Sequence, residues 1–527
     1  MPSLLSIGLP FPVADTSSDA GGDAALPPRP ELSPARCNLI LGIIVLSTTL
    51  YSTSILIVAS VLPQLQGALS ATPDEISWAM TFNILATAVA TPLTSWLAGR
   101  LGRRNLLVVS LIIFTVATYF SGAATSLEML IFWRIVQGAA GAPLSPMGQT
   151  VLLDIFPKHR HGVVIGIFGV GVVMGAFIGP MIGGIMAEKY TWRYAFYIIV
   201  PVGAVAAAGV LLALPRMRRA VTVKLEWTGF ILISVAIAGL QLALSRGQRL
   251  DWFESPEICI EIFVAVVAFY MFIAHALTHD KPFLNLRLLV NRNYAIGLCL
   301  VTIYGMLNFT PMVILPGLMR EHMGMSDSLI GYVVGSRGIG AMAGFFVGGM
   351  LGQRFPMRSI MAGYGMQVIV GVWLMTCSLD TAPLEFALNG VLQGFAGGVI
   401  WVPLTIITFS NVRGEDLDET TSVYHLLRNI GSSFFISMTV TELVRSTATN
   451  YEYLTEHISP FNPMLKLPWV LGEWDVDTIE GLARLSKEMV HQAALISYLN
   501  AFGMLAVASA VAIPLILMAR QPSKKAG

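Results

Sequence analysis

The sequence predicts an all-α membrane protein: two parallel six-helix bundles with two further helices inserted between them, fourteen transmembrane helices in all. Three observations carry this reading. The chain is apolar and poor in charge, it divides into fourteen apolar stretches, and two short motifs recur at nearly one offset.

Of 527 residues, 55% are hydrophobic and 12% charged, about half the charged share of a soluble domain. Mean hydropathy is +0.71. Such a chain belongs in a bilayer rather than in a soluble enzyme. The net charge of +1 gives no attraction for nucleic acid. Cys37, Cys259, Cys299 and Cys377 are scattered without a CxxC pair, so neither a disulfide scaffold nor a zinc module is expected. His275 and His279 have an i, i+4 spacing but no accompanying HExxH glutamate, and no metal is expected there. The absence of a GxxxxGK[ST] loop argues against ATP hydrolysis and leaves an ion gradient as the energy source. No cofactor is expected.

Residues 1–36, rich in Pro, Ala, Gly, Ser and Asp, read as a disordered cytoplasmic tail rather than a signal peptide, since no positive charge precedes Arg29. The apolar segments that follow each have about the 20 residues a membrane helix needs. The first six cover 39–64, 76–98, 106–124, 128–153, 162–187 and 194–214, and an inserted pair covers 227–246 and 257–278. The last six cover 294–319, 329–352, 359–378, 384–409, 420–445 and 493–518. Only a helix satisfies its own backbone in hydrocarbon, so all are helical.

With the first residue inside, the inner segments carry more than twice as many Lys and Arg as the outer ones. They include Arg100, Arg103 and Arg104; Lys158 and Arg160; Arg216, Arg218, Arg219 and Lys224; and Arg520, Lys524 and Lys525. The positive-inside rule then places both termini in the cytoplasm.

LAGRLGRR (97–104) has a partner in LGQRFPMR (351–358), which maps Arg100 onto Arg354 at an offset of 254. VQGAAG (136–141) matches LQGFAG (392–397), which maps Gln137 onto Gln393 at an offset of 256. The shared offset argues for duplication. It spans eight helices, an even number, so the halves point the same way. The domains expected are therefore the tail at 1–36, a first bundle at 37–220, the inserted pair at 221–285, a second bundle at 286–520 with an outer loop at 446–492, and a short cytoplasmic tail at 521–527. Parallel repeats around a midplane site are a transporter plan.

At these residues the chain resembles the major facilitator superfamily, and within it the fourteen-helix drug:proton antiporters of the EmrB type. LxxxRxxQGxxGA (Leu130, Arg134, Gln137, Gly138, Gly141, Ala142) is similar to that superfamily's fourth-helix motif. GxxxGPxxGG (Gly175, Gly179, Pro180, Gly183, Gly184) is similar to its antiporter motif on helix 5. WRYAFYIIVPVG (192–203), RGQRLDWF (246–253), SRGIG (336–340), LLRNIGSS (426–433) and LTEHISPFNP (454–463) extend the likeness along the chain. Two departures stand out: Ser95 and Gly99 replace the loop motif's Gly and Asp, and Ser54 and Ala59 replace the Asp and Asn of helix 1. The resemblance implies a major facilitator fold in a bacterial inner membrane. It further implies proton-coupled export of amphipathic or hydrophobic compounds, with fatty acids, lipids or another metabolite as the alternative cargo. It also implies a periplasmic adaptor and an outer-membrane channel as partners, with the long outer loop as the adaptor contact.

Arg134 falls well inside helix 4, where a cation costs about 2.5–3.5 kcal/mol and is functional by default. With Glu442 and Asp154, the visible acids, it forms the expected proton-coupling set; His425 could titrate near neutrality. Arg337, near mid-bilayer on helix 10, and its repeat counterpart Asn83 are expected to line the cavity, with Gln137, Asn308, Asn389, Gln393 and Arg428. Glycines at every fourth position, Gly171 to Gly183 and Gly340 to Gly352, are expected to form close, sliding helix seams. Pro180 allows a bend. Arg100, Gly102, Arg103, Arg104, Arg354 and Arg358 are the expected cytoplasmic gating loops.

Overall fold

The computed structural model describes residues 33–215, 225–279, 282–459, 462–467, 474–476 and 478–519. The expected disordered tail up to residue 32, the basic residues Arg216, Arg218, Arg219 and Lys224, most of WVLGEW and the tail from 520 lie outside the described residues.

Helices occupy every predicted span. In the first half these are α1 (Pro34–Leu69), α2 (Pro73–Ala90), α3 (Leu93–Leu101), α4 (Arg103–Gly122), α5 (Leu127–Gly141), α6 (Leu144–Ile155), α7 (His161–Lys189), α8 (Trp192–Tyr197) and α9 (Ile199–Ala213). The inserted pair is α10 (Trp227–Arg246) and α11 (Pro256–Thr278). The second half holds α12 (Arg292–Gly317), α13 (Asp327–Arg354), α14 (Pro356–Leu374), α15 (Pro383–Thr408), α16 (Leu417–Glu456) and α17 (Ile479–Leu517). Proline explains two of the breaks, since its ring forbids the preceding helical hydrogen bond. Pro92 separates α2 from α3 with a 60° bend, and Pro143 separates α5 from α6. The entry to α2 is fixed by a capping box in which Thr72 and Glu75 satisfy each other's backbone N–H.

Among the described residues ten spans are long and apolar enough to cross a membrane, one of them formed by α8 and α9 together, and eleven when the bent pair α2–α3 is counted as one. The remaining predicted spans, α5–α6, α14 and α16, are broken, shorter or more polar. The outer segment 446–492 differs most from its expectation. α16 continues to Glu456 and α17 already begins at Ile479, so much of the expected loop is a pair of helical extensions. Tyr451 and Ser486 lie 2.9 Å apart at their hydroxyls, and Thr447 donates to Ser497 at 3.0 Å. These contacts zip the two extensions together.

The buried apolar residues fall into three clusters. One fills the first half between α1 and α9. A second fills the other half and takes in Ile165 of α7. The third joins α10 and α11 to Ala88 of α2 and Leu426 of α16. The duplication is visible in the packing. A side chain at Gly138 would strike the carbonyl oxygen of Asn83, and one at Gly394 would strike that of Arg337. These are matching close approaches of α5 to α2 and of α15 to α13, and only glycine permits them.

Candidate functional site

A cavity of about 230 Å³ lies where the halves face each other. Tyr51, Thr87, Ser145 and Phe177 line it from the first half; Tyr304, Asn308, Arg337, Phe345, Arg428 and Asn429 line it from the second. Gln241 reaches it from α10. Most of the wall is apolar, and among the described residues no Asp or Glu lines it. Arg337 Nη2 donates to Asn308 Oδ1 at 2.8 Å, whereas its Nη1 is buried without a hydrogen-bond partner in the protein. Arg428 donates from Nη2 to Asn429 Oδ1 at 3.1 Å and lies over the Trp401 ring, 5.5 Å from its centroid. Two guanidinium groups in an apolar, acid-free chamber suit a ligand with an aromatic or aliphatic body and a hydrogen-bond-accepting head.

The sequence-predicted residues divide between this wall and the bundle interiors. Asn308, Arg337 and Arg428 line the cavity; Asn83, Gln137, Asn389 and Gln393 do not. Asn83 Nδ2 donates to the carbonyl of Arg134 at 2.7 Å, tying α2 to α5. Gln137 accepts from Arg134 and donates to Thr118 at 2.6 Å. In the other half, Asn389 donates to the Val370 carbonyl and the Gln393 carbonyl accepts from Gln367, both joining α14 to α15. A polar residue inside a span can face a neighbouring helix as readily as a cavity, which is why spacing alone placed these four in the wall. Sequence reasoning missed Tyr51, Tyr304, Asn429 and Gln241. Gln241, the one amide in the apolar run of α10, was the available signal.

Arg134 is fully buried and anchored to main chain. Its Nε donates to the Ala79 carbonyl and its Nη1 to that of Ser54, each at 3.2 Å, and Gln137 takes a third bond. At the helix-1 position Ser54 it is thus the main-chain carbonyl that holds Arg134. The expected grouping of Arg134 with Glu442 and Asp154 does not form. Asp154 pairs with Arg103, and Glu442 stands fourteen residues beyond Arg428 on α16, about 21 Å along its axis.

Arg103, one of the expected gating residues, ties the two halves together. Gly102, at φ 81°, supplies the left-handed turn between α3 and α4 that β-carbon-bearing residues resist. The following Arg103 bridges Asp154 of its own half at 2.9 Å and Asp418 of the other half, also at 2.9 Å. Burial pushes the Asp418 carboxyl above the usual aspartate range, while Arg103 pulls the other way. Gln353 donates to the His159 carbonyl and His425 meets Gln149 at 2.7 Å, so further bonds cross between halves. The other loop cations serve locally. Arg104 holds the Leu211 carbonyl, Arg100 lies over Trp96, and Arg354 and Arg358 flank Phe355.

The glycine stripes lie inside the halves. Gly171, Gly175, Gly179 and Gly183 press α7 against α1, while Gly340, Gly344, Gly348 and Gly352 press α13 against α15. Gly184 faces open space, and Pro180 sits within α7. The close contact between halves uses another row: Gly162 against Gly349, and Gly166 and Gly169 against Phe345.

Comparison with known proteins agrees with this geometry. Residues 44–436 match the Major Facilitator Superfamily. The chain is 30% identical over 476 residues to the multidrug export protein EmrB of Escherichia coli (strain K12), covering 88% of this chain and 91% of that one. It is 26% identical to the fatty acid resistance protein FarB of Neisseria gonorrhoeae, over 95% and 99% of the two chains. Among solved structures, a proton:xylose symporter, XylE, bound to 6-bromo-6-deoxy-D-glucose superposes with a TM-score of 0.57 at 12% identity, over 88% and 95% of the chains. That likeness speaks for the fold alone.

Proposed function

Because the chain belongs to the Major Facilitator Superfamily and is a multi-pass membrane transporter, we propose that it is a proton-coupled antiporter that exports amphipathic or hydrophobic organic compounds by alternating access. The observation that carries the reading is the cavity between the halves, closed toward the cytoplasm by the Arg103 bridge from Asp154 to Asp418. Substrate occupies the cavity; breaking the bridge opens it inward, and re-forming the bridge commits the substrate to the outer side. The fourteen helical spans cross a bacterial inner membrane with both ends inside. The paired outer extensions of α16 and α17 serve as the seat of a periplasmic adaptor that leads to an outer-membrane channel. The proton carrier is a group other than a helix-1 carboxylate, since that position is Ser54.

The test is a proteoliposome under an imposed pH gradient. A lipophilic dye should move outward as protons move inward, and collapse of the gradient should stop both. Movement of dye without proton exchange refutes the coupling.

A second cargo, a fatty acid or other amphipathic anion, is favoured by one specific observation: the buried, unpartnered Nη1 of Arg337 in the cavity wall. Fatty anions run in the same vesicles decide between the two.

A further inference from the structure

Between the cavity and the Arg103 bridge, three helices each place a buried polar side chain one turn from a lining residue. On α6, Gln149 follows Ser145 by four positions; on α15, Trp401 follows Gly398 by three; on α16, His425 precedes Arg428 by three. The His425 ring lies 6.0 Å from that of Trp401, centroid to centroid. Trp401 in turn stands 5.1 Å from the Tyr304 ring and beneath the Arg428 guanidinium. The indole thus contacts the imidazole and the cavity wall alike.

The imidazole is half committed. Gln149 Oε1 lies 2.7 Å from Nε2 across the interface between halves. With the amide oxygen as acceptor, Nε2 carries the hydrogen and Nδ1 a lone pair. Nδ1 is buried without a hydrogen-bond partner in the protein, as are Gln149 Nε2 and Trp401 Nε1. A proton on Nδ1 would create a second N–H donor, and a cation, where this contact supplies no acceptor. The surrounding charges do not offset it. Arg428, one turn away, acts on His425 with like sign. Asp418, two turns the other way, and Asp154 of α6 are held by Arg103. Arg100 of α3 lies over Trp96. α1 and α12 present the phenols of Tyr51, Tyr294 and Tyr304, and the Tyr424 hydroxyl meets Thr405. Residues 77–90 of α2, 228–245 of α10, 386–408 of α15 and 493–517 of α17 include no Asp, Glu, Lys or Arg.

We propose that His425 carries the proton exchanged for substrate, taking it at Nδ1 from the cavity side and yielding it on the side of the Arg103 bridge. This rests on the antiport reading above and names its proton carrier. The neutral imidazole fits the observed arrangement, bonded to Gln149. The imidazolium does not, so a proton arriving from outside parts α16 from α6 and exposes the ring to the cytoplasm. There the proton leaves, substrate enters, and closure re-forms the bond to Gln149. Proton and substrate drive one interface in opposite directions, as exchange requires.

The test uses the full chain in lipid, with native cysteines replaced and spin labels at Lys158 and Arg358 to read cytoplasmic opening. As pH falls through the ordinary histidine value of about 6.5, the open-to-closed ratio should rise by up to about tenfold per unit, the limit for one proton. His425→Gln keeps a donor for Gln149 but cannot titrate; it should flatten this response and abolish proton-driven export of a lipophilic dye from vesicles. Asp418→Asn should open the molecule further yet keep the response, which separates the histidine from the bridge. A response that survives His425→Gln, or that Asp418→Asn removes, overturns the inference while antiport stands. Wild-type vesicles that move dye without protons overturn the antiport reading as well. If His425→Gln does not fold, Gln149→Glu decides. A carboxylate there gives the imidazolium a partner in the closed arrangement, so acidification should no longer open the molecule, and an unchanged response overturns the inference.

Discussion

Arg103 and Asp418 stand 315 positions apart in the chain, yet Arg103 Nε lies 2.9 Å from one carboxylate oxygen of Asp418 and 3.1 Å from the other. The fork joins the first half to the second at the first turn of α16, and Asp154 holds the guanidinium in place from behind. Both Arg103 and Asp418 are mostly shielded from water, so the pair is worth more than a surface bridge. Asp418→Asn should favour the cytoplasm-open form by about 1–2 kcal/mol. Labels at Lys158 and Arg358 should then separate in a larger share of molecules, and an unchanged distribution would remove the bridge from the closure.

Arg134→Ala should act on stability. It would leave the carbonyls of Ala79 and Ser54 and the amide of Gln137 without their donor in a dry bundle. The cost should be about 2–3 kcal/mol, read as a lower melting temperature in detergent. Arg134→Lys should recover only part of it, because an ammonium cannot span three acceptors in the fork geometry.

Two glycine substitutions on α7 should separate packing from motion. A β-carbon at Gly179 would lie 2.8 Å from the Thr53 carbonyl oxygen inside the first half, and one at Gly166 would lie 2.9 Å from that of Phe345 across the interface. Gly179→Leu should lower folded yield, at a cost of about 1–3 kcal/mol. Gly166→Leu should leave the melting temperature nearly unchanged and shift the molecule toward the cytoplasm-open form. Equal effects on yield would refute the distinction.

Arg337→Gln should reduce transport of fatty anions about tenfold more than that of lipophilic cations, the equivalent of about 1.4 kcal/mol of selective recognition. Vesicle transport of the two probes side by side measures the ratio.

Much of this architecture was legible before any coordinates. Apolar run length gave each helix, and the match of Gly138 to Gly394 foreshadowed two equivalent helix contacts. The sites were less legible because a polar residue within a span does not announce which side it faces. Asn83 and Asn308 look alike in sequence, yet one binds a backbone carbonyl and the other meets Arg337 in the cavity. The glycine rows show the same ambiguity: their period revealed close packing and left the partner open. The outer extensions of α16 and α17 were hidden because their polar residues read as loop, whereas contacts such as Tyr451 with Ser486 hold them helical.

α16 is a single helix of 40 residues without proline, a rod of about 60 Å. Asp418 sits at its base, Arg428 partway along and Tyr451 near its tip. A lean of about 10° at the base would sweep the tip through about 10 Å by rigid leverage over that length. Whatever rests on the outer end would thus feel the inner latch release as a mechanical stroke, with no relay of side chains between them.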